Sequence, residues 1–495
     1  MAVSFNSIPS DLRVPLFYAE VDNSQANSAS GSLLRLLVGQ VNDDADAPEI
    51  GKLTLVSDLS LAKTIGGVGS MLADMYETWR RIDLVGEVWC LPIKATGTKA
   101  SGKVAITGTT TAGGQINLYV GGQRVRATVA SGASAAAVAT ALAAAVNAAG
   151  LGVSATAATG DVTLTCRWSG LSGNDIQLEL NRQGRSNGEL TPAGLTVTVT
   201  AMAGGVGSPD VAEALAVLGD EPFEFICAPW TDATSLDAWK GFMDDSSGRW
   251  SWARQLYGHV YSACRGTLGE LVALGDTRND PHMTVYGFEK ECPDPVWRQA
   301  AGYAARTAVF ISADPARPTQ TGELNGITPA PSGDRFTLTE RQSLLTHGIA
   351  TGYCSGGAQR IERGITTYRQ NALGQPDNSF LDSETLHQSA YIINSLKGRV
   401  TSKYGRHKLA DDGTRFGAGQ AIATPNVIRA ELIAGYYVLE SLGITENAEL
   451  FAKYLVVERS TTDPTRVDVL YPPDLVNQLR VFALQYQFRL QYAVS

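Results

Sequence analysis

Few side chains in this sequence are placed to do chemistry. Its five histidines are His259, His282, His347, His387 and His407, and none stands in an HExxH or other metal-ligand spacing. His259 and His282 fall in apolar, strand-like runs, where a hydrogen-bonded structural imidazole is the simpler reading. The six cysteines (Cys90, Cys166, Cys227, Cys264, Cys292, Cys354) are scattered without a CxxC, as expected of buried free thiols in a reducing compartment. Cys354-Ser355-Gly356-Gly357 has the look of a nucleophile turn, but it lacks GxSxG and a preceding apolar strand. Residues 97–103 match GxxxxGK, yet Val104 stands where a magnesium-binding hydroxyl belongs, and an alternating strand follows instead of a helix. Gly66-Gly67-Val68-Gly69 precedes a helix and could cradle a phosphate, but it has neither dinucleotide spacing nor a P-loop lysine. The acid pairs Asp43-Asp44, Asp244-Asp245 and Asp411-Asp412 sit in turn-like contexts. With no nucleophile, base or cofactor loop, the chain reads as a protein without catalytic, cofactor or metal residues.

The elements that would have to position such residues are clearest in residues 208–312. Ser208-Pro209-Asp210 opens a helix that Gly219 closes. Residues 223–228 form an apolar run with proline on both sides, a buried strand. Thr234 caps a helix with Leu236, Trp239 and Met243 on one face. Residues 255–262 and 282–288 are further strands, separated by a capped helix over 267–275, and a longer helix covers 295–311. This alternation predicts a mostly parallel sheet covered by helices.

Composition sets the limits. At 495 residues the chain exceeds one core, and about three domains is the expectation. A net charge of −9 argues against a general nucleic-acid binder. The N-terminus lacks the basic-then-apolar pattern of a signal segment. No apolar run reaches the ~18 residues of a membrane span, so no direct membrane insertion is expected. The Ala-rich stretch 133–149 reads as a soluble helix.

In chain order, residues 1–30 form an arm in which Phe17, Ala19 and Val21 alternate like a short strand. Residues 31–95 are an α/β segment with strands at 33–38, 53–56 and 88–93 and a helix capped by Ser70. Residues 96–205 change character: charges thin out, period-two strands dominate, and Gly113-Gly114 and Gly121-Gly122 mark hairpin turns. This is a β-rich insertion, expected to decorate the outside and to be dispensable. Residues 206–382 are the central α/β domain; beyond 313 it is loop-rich, with short strands expected at 336–338, 349–350 and 365–368. Residues 383–478 form an α+β domain with helices at 383–404 and 424–442 and strands at 455–457 and 467–470. The first of those helices ends in Lys397, Arg399, Lys403, Arg406 and Lys408, which suit the helix macrodipole or a docking face. Residues 479–495 hold a final strand. There Phe482, Leu484, Tyr486, Phe488, Leu490 and Tyr492 share one face and Gln485, Gln487, Arg489 and Gln491 the other. An apolar face at a chain end needs a sheet to lie on, in its own subunit or a neighbour's.

Several stretches together carry a resemblance. RGITTYRQNALG (363–374), VIRAELIAGYYVLESLGITEN (427–447) and TRVDVLYPPDLVNQLRVFALQYQF (465–488) look like motifs of contractile-tail sheath proteins. The opening FNSIPSDLRVPLFYAEVDNS (5–24) is similar to the start of sheaths from Mu-like bacteriophages, and ELNGITPAP (323–331) fits the same family. The resemblance implies a structural subunit, located in the virion's tail sheath and assembled in the host cytoplasm. It would form stacked hexameric rings around a tail tube, meet baseplate and tail terminator proteins, and contract to drive the tube through the host envelope. It implies a central α/β domain of subtilisin-like topology without protease function. It also implies extended terminal arms that add strands to neighbouring subunits, matching Phe17, Ala19 and Val21 at one end and Phe482, Leu484, Tyr486, Phe488 and Leu490 at the other. The family's tube-facing surface lies in the C-terminal domain, which makes Lys397, Arg399, Lys403, Arg406 and Lys408 its candidates. The rival readings are a degenerate α/β hydrolase-like enzyme using His259 or Cys354, and a tail tube or baseplate protein.

Overall fold

The computed structural model describes residues 33–45, 50–417 and 419–491. The expected arm strand at Phe17, Ala19 and Val21 therefore lies outside the described residues, as does Tyr492.

The chain first lays down β1 (Leu34–Gln40), β2 (Thr54–Leu55), α1 (Leu59–Gly66), α2 (Met71–Arg80) and β3 (Val88–Ile93). Ser70 caps α2 by accepting from the Ala73 amide, as its position predicts. An excursion follows: β4 (Lys99–Gly108), β5 (Gly114–Val120), β6 (Gln123–Val129), α3 (Ala135–Ala148), β7 (Val153–Ala158), β8 (Asp161–Ser169), β9 (Leu178–Leu180) and β10 (Leu195–Ala203). The chain then returns through α4 (Val211–Leu215), β11 (Phe223–Cys227), α5 (Ala233–Met243), β12 (His259–Gly266), α6 (Leu268–Asp276), β13 (Met283–Glu289) and α7 (Val296–Ala313).

One six-stranded sheet unites the two ends of that excursion, in the order β13-β12-β11-β1-β3-β2. All neighbours are parallel except β2, which runs against β3. The segment before the insertion thus supplies one half of the central sheet, from β1 at its middle to β2 at its edge. Every residue of β11 and β13 is buried, as expected for strands with helices on both faces. Asp74 of α2 accepts from Trp297 and, from both sides of its carboxylate, Arg298 of α7, which ties the helices either side of the insertion together.

The insertion leaves and rejoins through a paired neck, Ala95 with Pro209 and Thr98 with Val206. It contains an antiparallel sheet β10-β4-β8-β7, a second sheet β6-β5-β9, and α3. It rests on the C-terminal edge of the central sheet. Gln40 bonds Ser169 and Ser172; Asp43 accepts from Ser169; Arg265, in β12, pairs with Asp175 at 2.6 Å. Trp168 packs edge-on against Trp297, centroids 5.5 Å apart. The hydrophobic core runs without a break from one part into the other. Gly69 (φ +75°) serves this junction: a Cβ there would sit 2.3 Å from the Leu151 carbonyl oxygen of the insertion.

Beyond α7 come α8 (Leu338–Thr346), β14 (Thr351–Ser355), β15 (Ala358–Arg363) and α9 (Ser383–Tyr404). The C-terminal part adds β16 (Lys408–Leu409), β17 (Ile422–Ala423), α10 (Pro425–Ser441), β18 (Thr445–Glu446), α11 (Ala448–Tyr454), β19 (Val456–Arg459), β20 (Val467–Leu470) and β21 (Asp474–Leu475). It has a small core of its own, in which Tyr436 stacks on Phe451 at 3.8 Å.

Several expectations need correction. Asp210 and Asp232, rather than Ser208 and Thr234, cap α4 and α5, because Pro209 is held in the neck and the aspartates reach the N3 amides. The strand expected from 255 begins at His259; Gln255 has φ 54°, which an extended strand does not permit. Residues 336–338 are no strand: Thr337 and Glu340 form a capping box that starts α8. Ile365 makes a single bridge to Asp382, and Ala350 a single bridge to Tyr286 just before β14. Gly113-Gly114 does not turn a hairpin, since β4 and β5 lie in different sheets.

Candidate assembly surfaces

The chemistry-bearing residues do not converge on an accessible centre. Gly356-Gly357 form the turn of the β14–β15 hairpin, so Cys354 is a strand residue and not a nucleophile at a strand-to-helix elbow. Lys103 of the GxxxxGK stretch lies in β4 and pairs with Asp161 at 3.1 Å. Burial pushes the thiols of Cys166 and Cys292 up to about 12 and that of Cys227 higher, so these sulfurs stay protonated. Among the described residues no group of three or more His, Cys, Asp or Glu is placed to hold a metal ion.

One arrangement that the sequence did not reveal imitates a catalytic relay. Glu224 lies 2.6 Å from His387 Nδ1, and His387 Nε2 lies 2.8 Å from the Tyr261 hydroxyl. The three residues come from β11, α9 and β12, too far apart in sequence for any motif. Glu224 and His387 edge an open groove beside the end of α7, but Tyr261 is sealed behind them. Burial first, then the nearby Glu384, raises the Tyr261 hydroxyl well above its usual range, so it is no nucleophile. His259 donates to or accepts from Thr284 at 2.8 Å and is wholly buried. The network clamps α9 to the central sheet.

The last stretch of chain is the unusual surface. β21 pairs with β18, the Val476 amide bonds Ile444, and residues 477–491 then run in no described ladder. The expected strand over 479–492 is therefore not formed within the described residues. Its apolar face is open: Phe482 is 79 % exposed, Leu484 73 %, Tyr486 79 %, Phe488 69 % and Leu490 96 %. A folded chain does not usually leave five such side chains in water in one run.

A second surface is the C-terminal end of α9. Arg399 and Lys403 both reach Glu431 on α10, Arg399 at 3.0 Å. Lys408 bonds Gln420 at 3.2 Å from the short β16–β17 pair. Lys397 and Arg406 are exposed, without a partner among the described residues. Glu431 thus neutralises part of the cluster and leaves its tip positive.

Comparison with known proteins assigns this arrangement to a family. Residues 204–367 match the model of the phage tail sheath protein central domain, and residues 375–489 that of the phage tail sheath C-terminal domain. The chain is 40% identical over 496 residues to the Mu-like prophage FluMu tail sheath protein of Haemophilus influenzae, covering 99% of this chain and 100% of that one. The crystal structure of a sheath tail protein from Desulfitobacterium hafniense superposes with a TM-score of 0.50 at 13% identity, covering 94% of this chain and 97% of that one, a likeness of fold. The chain belongs to the phage tail sheath family and is a non-enzymatic structural subunit of a contractile tail sheath in the virion.

Proposed function

We propose that the subunits polymerise by strand addition: residues 481–491 of one copy lie along a sheet of the next. The observation that carries this is the alternation of Phe482, Leu484, Tyr486, Phe488 and Leu490, all left open to solvent. Added strands gain affinity from backbone hydrogen bonds and specificity from alternate side chains. The β19–β20 pair is the receiving sheet best suited to it, with Val456, Val469 and Leu470 exposed and no third strand among the described residues.

The energetics favour collective assembly. Burying five such side chains contributes about 1.5–3 kcal/mol each. Ordering each of the eleven residues of a free arm costs about 1–2 kcal/mol, which matches or exceeds that gain, so the backbone hydrogen bonds of the added strand must supply the balance. A single arm is therefore weak, and repetition around a ring makes it firm.

On this reading the arm at Phe17, Ala19 and Val21 adds a second shared strand. The subunits stack as hexameric rings around the tail tube and contract to drive it through the host envelope. The central parallel sheet has subtilisin-like topology, with the insertion at its strand ends. Lys397, Arg399, Lys403, Arg406 and Lys408 face the tube. Baseplate and tail terminator proteins close the two ends; nucleic acid and membrane are not bound, and assembly takes place in the host cytoplasm. The test is a chain ended after Arg480. It should remain a folded, soluble subunit by circular dichroism and give no tubes in negative-stain images. Tubes at the parental yield would sink the shared-strand reading.

A further inference from the structure

In the stretch that follows Val476, the Arg480 side chain turns inward. Leu479 is 70 % exposed and Val481 78 %, but the Arg480 side chain between them is only 11 % exposed. Its guanidinium lies 3.0 Å from Glu384 and 3.2 Å from Asp382. These are charge contacts without hydrogen-bond alignment, since Nε, Nη1 and Nη2 are all buried and unbonded. The pocket is a built one. Glu384 is fully buried and accepts from the Thr319 amide and hydroxyl at 2.9 and 2.8 Å. Asp382 is held by Arg363 through two bonds of 2.8 and 2.9 Å. Both carboxylates stand at the N-terminus of α9, where the helix dipole favours negative charge. Gln320 adds one bond, donating to the Leu479 carbonyl at 3.0 Å. Every described residue after Arg480 is exposed.

We propose that Arg480 is the anchor of the shared segment: the residue that fixes where the chain leaves its own subunit and so sets the register and reach of residues 481–491 on the neighbour. The inference rests on the strand-addition reading above. Fully extended, residues 481–491 span at most about 40 Å. Without the Arg480 contact the single Gln320–Leu479 bond is left to hold the segment beyond Val476; once it opens, the free chain begins four residues earlier and gains up to about 14 Å of slack. Slack lowers the effective concentration of the strand at its partner sheet and blurs its register. Arg480 is thus a positioning residue, and it is the group through which a pull on the segment reaches α9 and the central domain.

The test separates anchoring from folding. Arg480→Gln alone leaves Glu384 buried without its counter-charge, which threatens the fold. Arg480→Gln combined with Glu384→Gln removes both charges. The double variant should be monodisperse and melt within a few degrees of the parent, while its yield of ordered tubes in electron micrographs falls about tenfold or more. Arg480→Lys, which restores a cation to the pocket, should recover part of that yield. Parental tube yield and helical order in the double variant overturn the proposal. So does a double variant that melts far below the parent, because Arg480 then serves its own subunit's fold. A chain ended after Arg480 that still assembles would fail the strand-addition reading itself, whatever the Arg480 variants do.

Discussion

Asp175 tests whether the insertion and the central domain are one cooperative unit. It belongs to the insertion, yet both of its carboxylate oxygens serve the centre. Oδ1 accepts from Arg265 at the end of β12 at 2.6 Å, and Oδ2 accepts from the Val296 amide at 2.6 Å, the first amide of α7. Pro295, at the N-cap of α7, supplies no side-chain bond, so an insertion residue does the capping. Asp175→Ala removes both. Breaking one side of a well-buried ion pair costs about 3–5 kcal/mol, but the side chains here are 15 % and 11 % exposed and Arg265 keeps the carbonyls of Lys290, Cys292 and Asp294. Loss of the cap adds about 1 kcal/mol. We expect about 3 kcal/mol in all, which lowers the melting midpoint of a 495-residue chain that unfolds as one unit by roughly 3 °C. The decisive assay is hydrogen exchange over residues 296–313 together with thermal melting. Protection of α7 should fall and the two parts should still melt together. If Asp175→Ala leaves α7 protected and the midpoint within a degree, the insertion is the dispensable decoration that its composition suggests, and the junction argument fails.

Two further outcomes follow from the buried imidazole and the basic helix end. Burial holds His259 well below the usual imidazole range, and His387 and His282 nearby act the same way. The folded chain then keeps His259 neutral while the unfolded chain takes up a proton below about pH 6.5, so stability present at neutral pH is lost as pH falls through that value. The loss begins near pH 6.5 and grows as pH falls further, because the buried imidazole stays neutral while the unfolded one is protonated. Asp280, Glu289 and Asp294, whose carboxyls burial raises, work in the opposite sense at lower pH. His259→Gln should flatten the dependence of the urea midpoint over that window, and an unchanged slope would assign it to other groups. Reversing Lys397 and Arg406 to glutamate should leave the subunit's melting within about 0.5 kcal/mol, as exposed substitutions do. It should also abolish co-sedimentation with tail tubes while sheath-only polymers persist. Retained tube binding would move the tube-facing surface elsewhere.

How much of this was legible in the sequence depends on the range of the interaction. Local signals read well. Ser70 caps the helix it announces, the capped helix expected from 267 starts at Thr267, and the strands over 88–93 and 467–470 fall where period and turns put them. Errors gather where a distant partner overrides local chemistry. Pro209 is drawn into the neck by Ala95, and the cap passes to Asp210. Thr337 looks like part of a strand after Phe336 until Glu340, three residues on, closes a capping box. The junction was invisible because Asp175, Arg265 and Val296 carry no spacing rule. So was the Glu224–His387–Tyr261 clamp.

The C-terminal run shows the limit most sharply. Period-two alternation says that one face of a strand is covered, but not by whose sheet. Residues 482, 484, 486, 488 and 490 announce burial, and the subunit alone leaves them open. Arg480 has the same parity as those five, so on a pleated segment it begins the same face. The run therefore holds a basic residue whose pocket lies in its own chain, followed by apolar residues with no cover in it. A change of residue type along one face, from charged to apolar at a single step, is what a strand handed from one subunit to the next would require. The acidic pocket at Asp382 and Glu384 lies about a hundred residues upstream, and only the fold connects it to Arg480. Without that link Arg480 reads as one more surface cation. With it, the strand-addition proposal puts the boundary between what the subunit keeps and what it offers between residues 480 and 481.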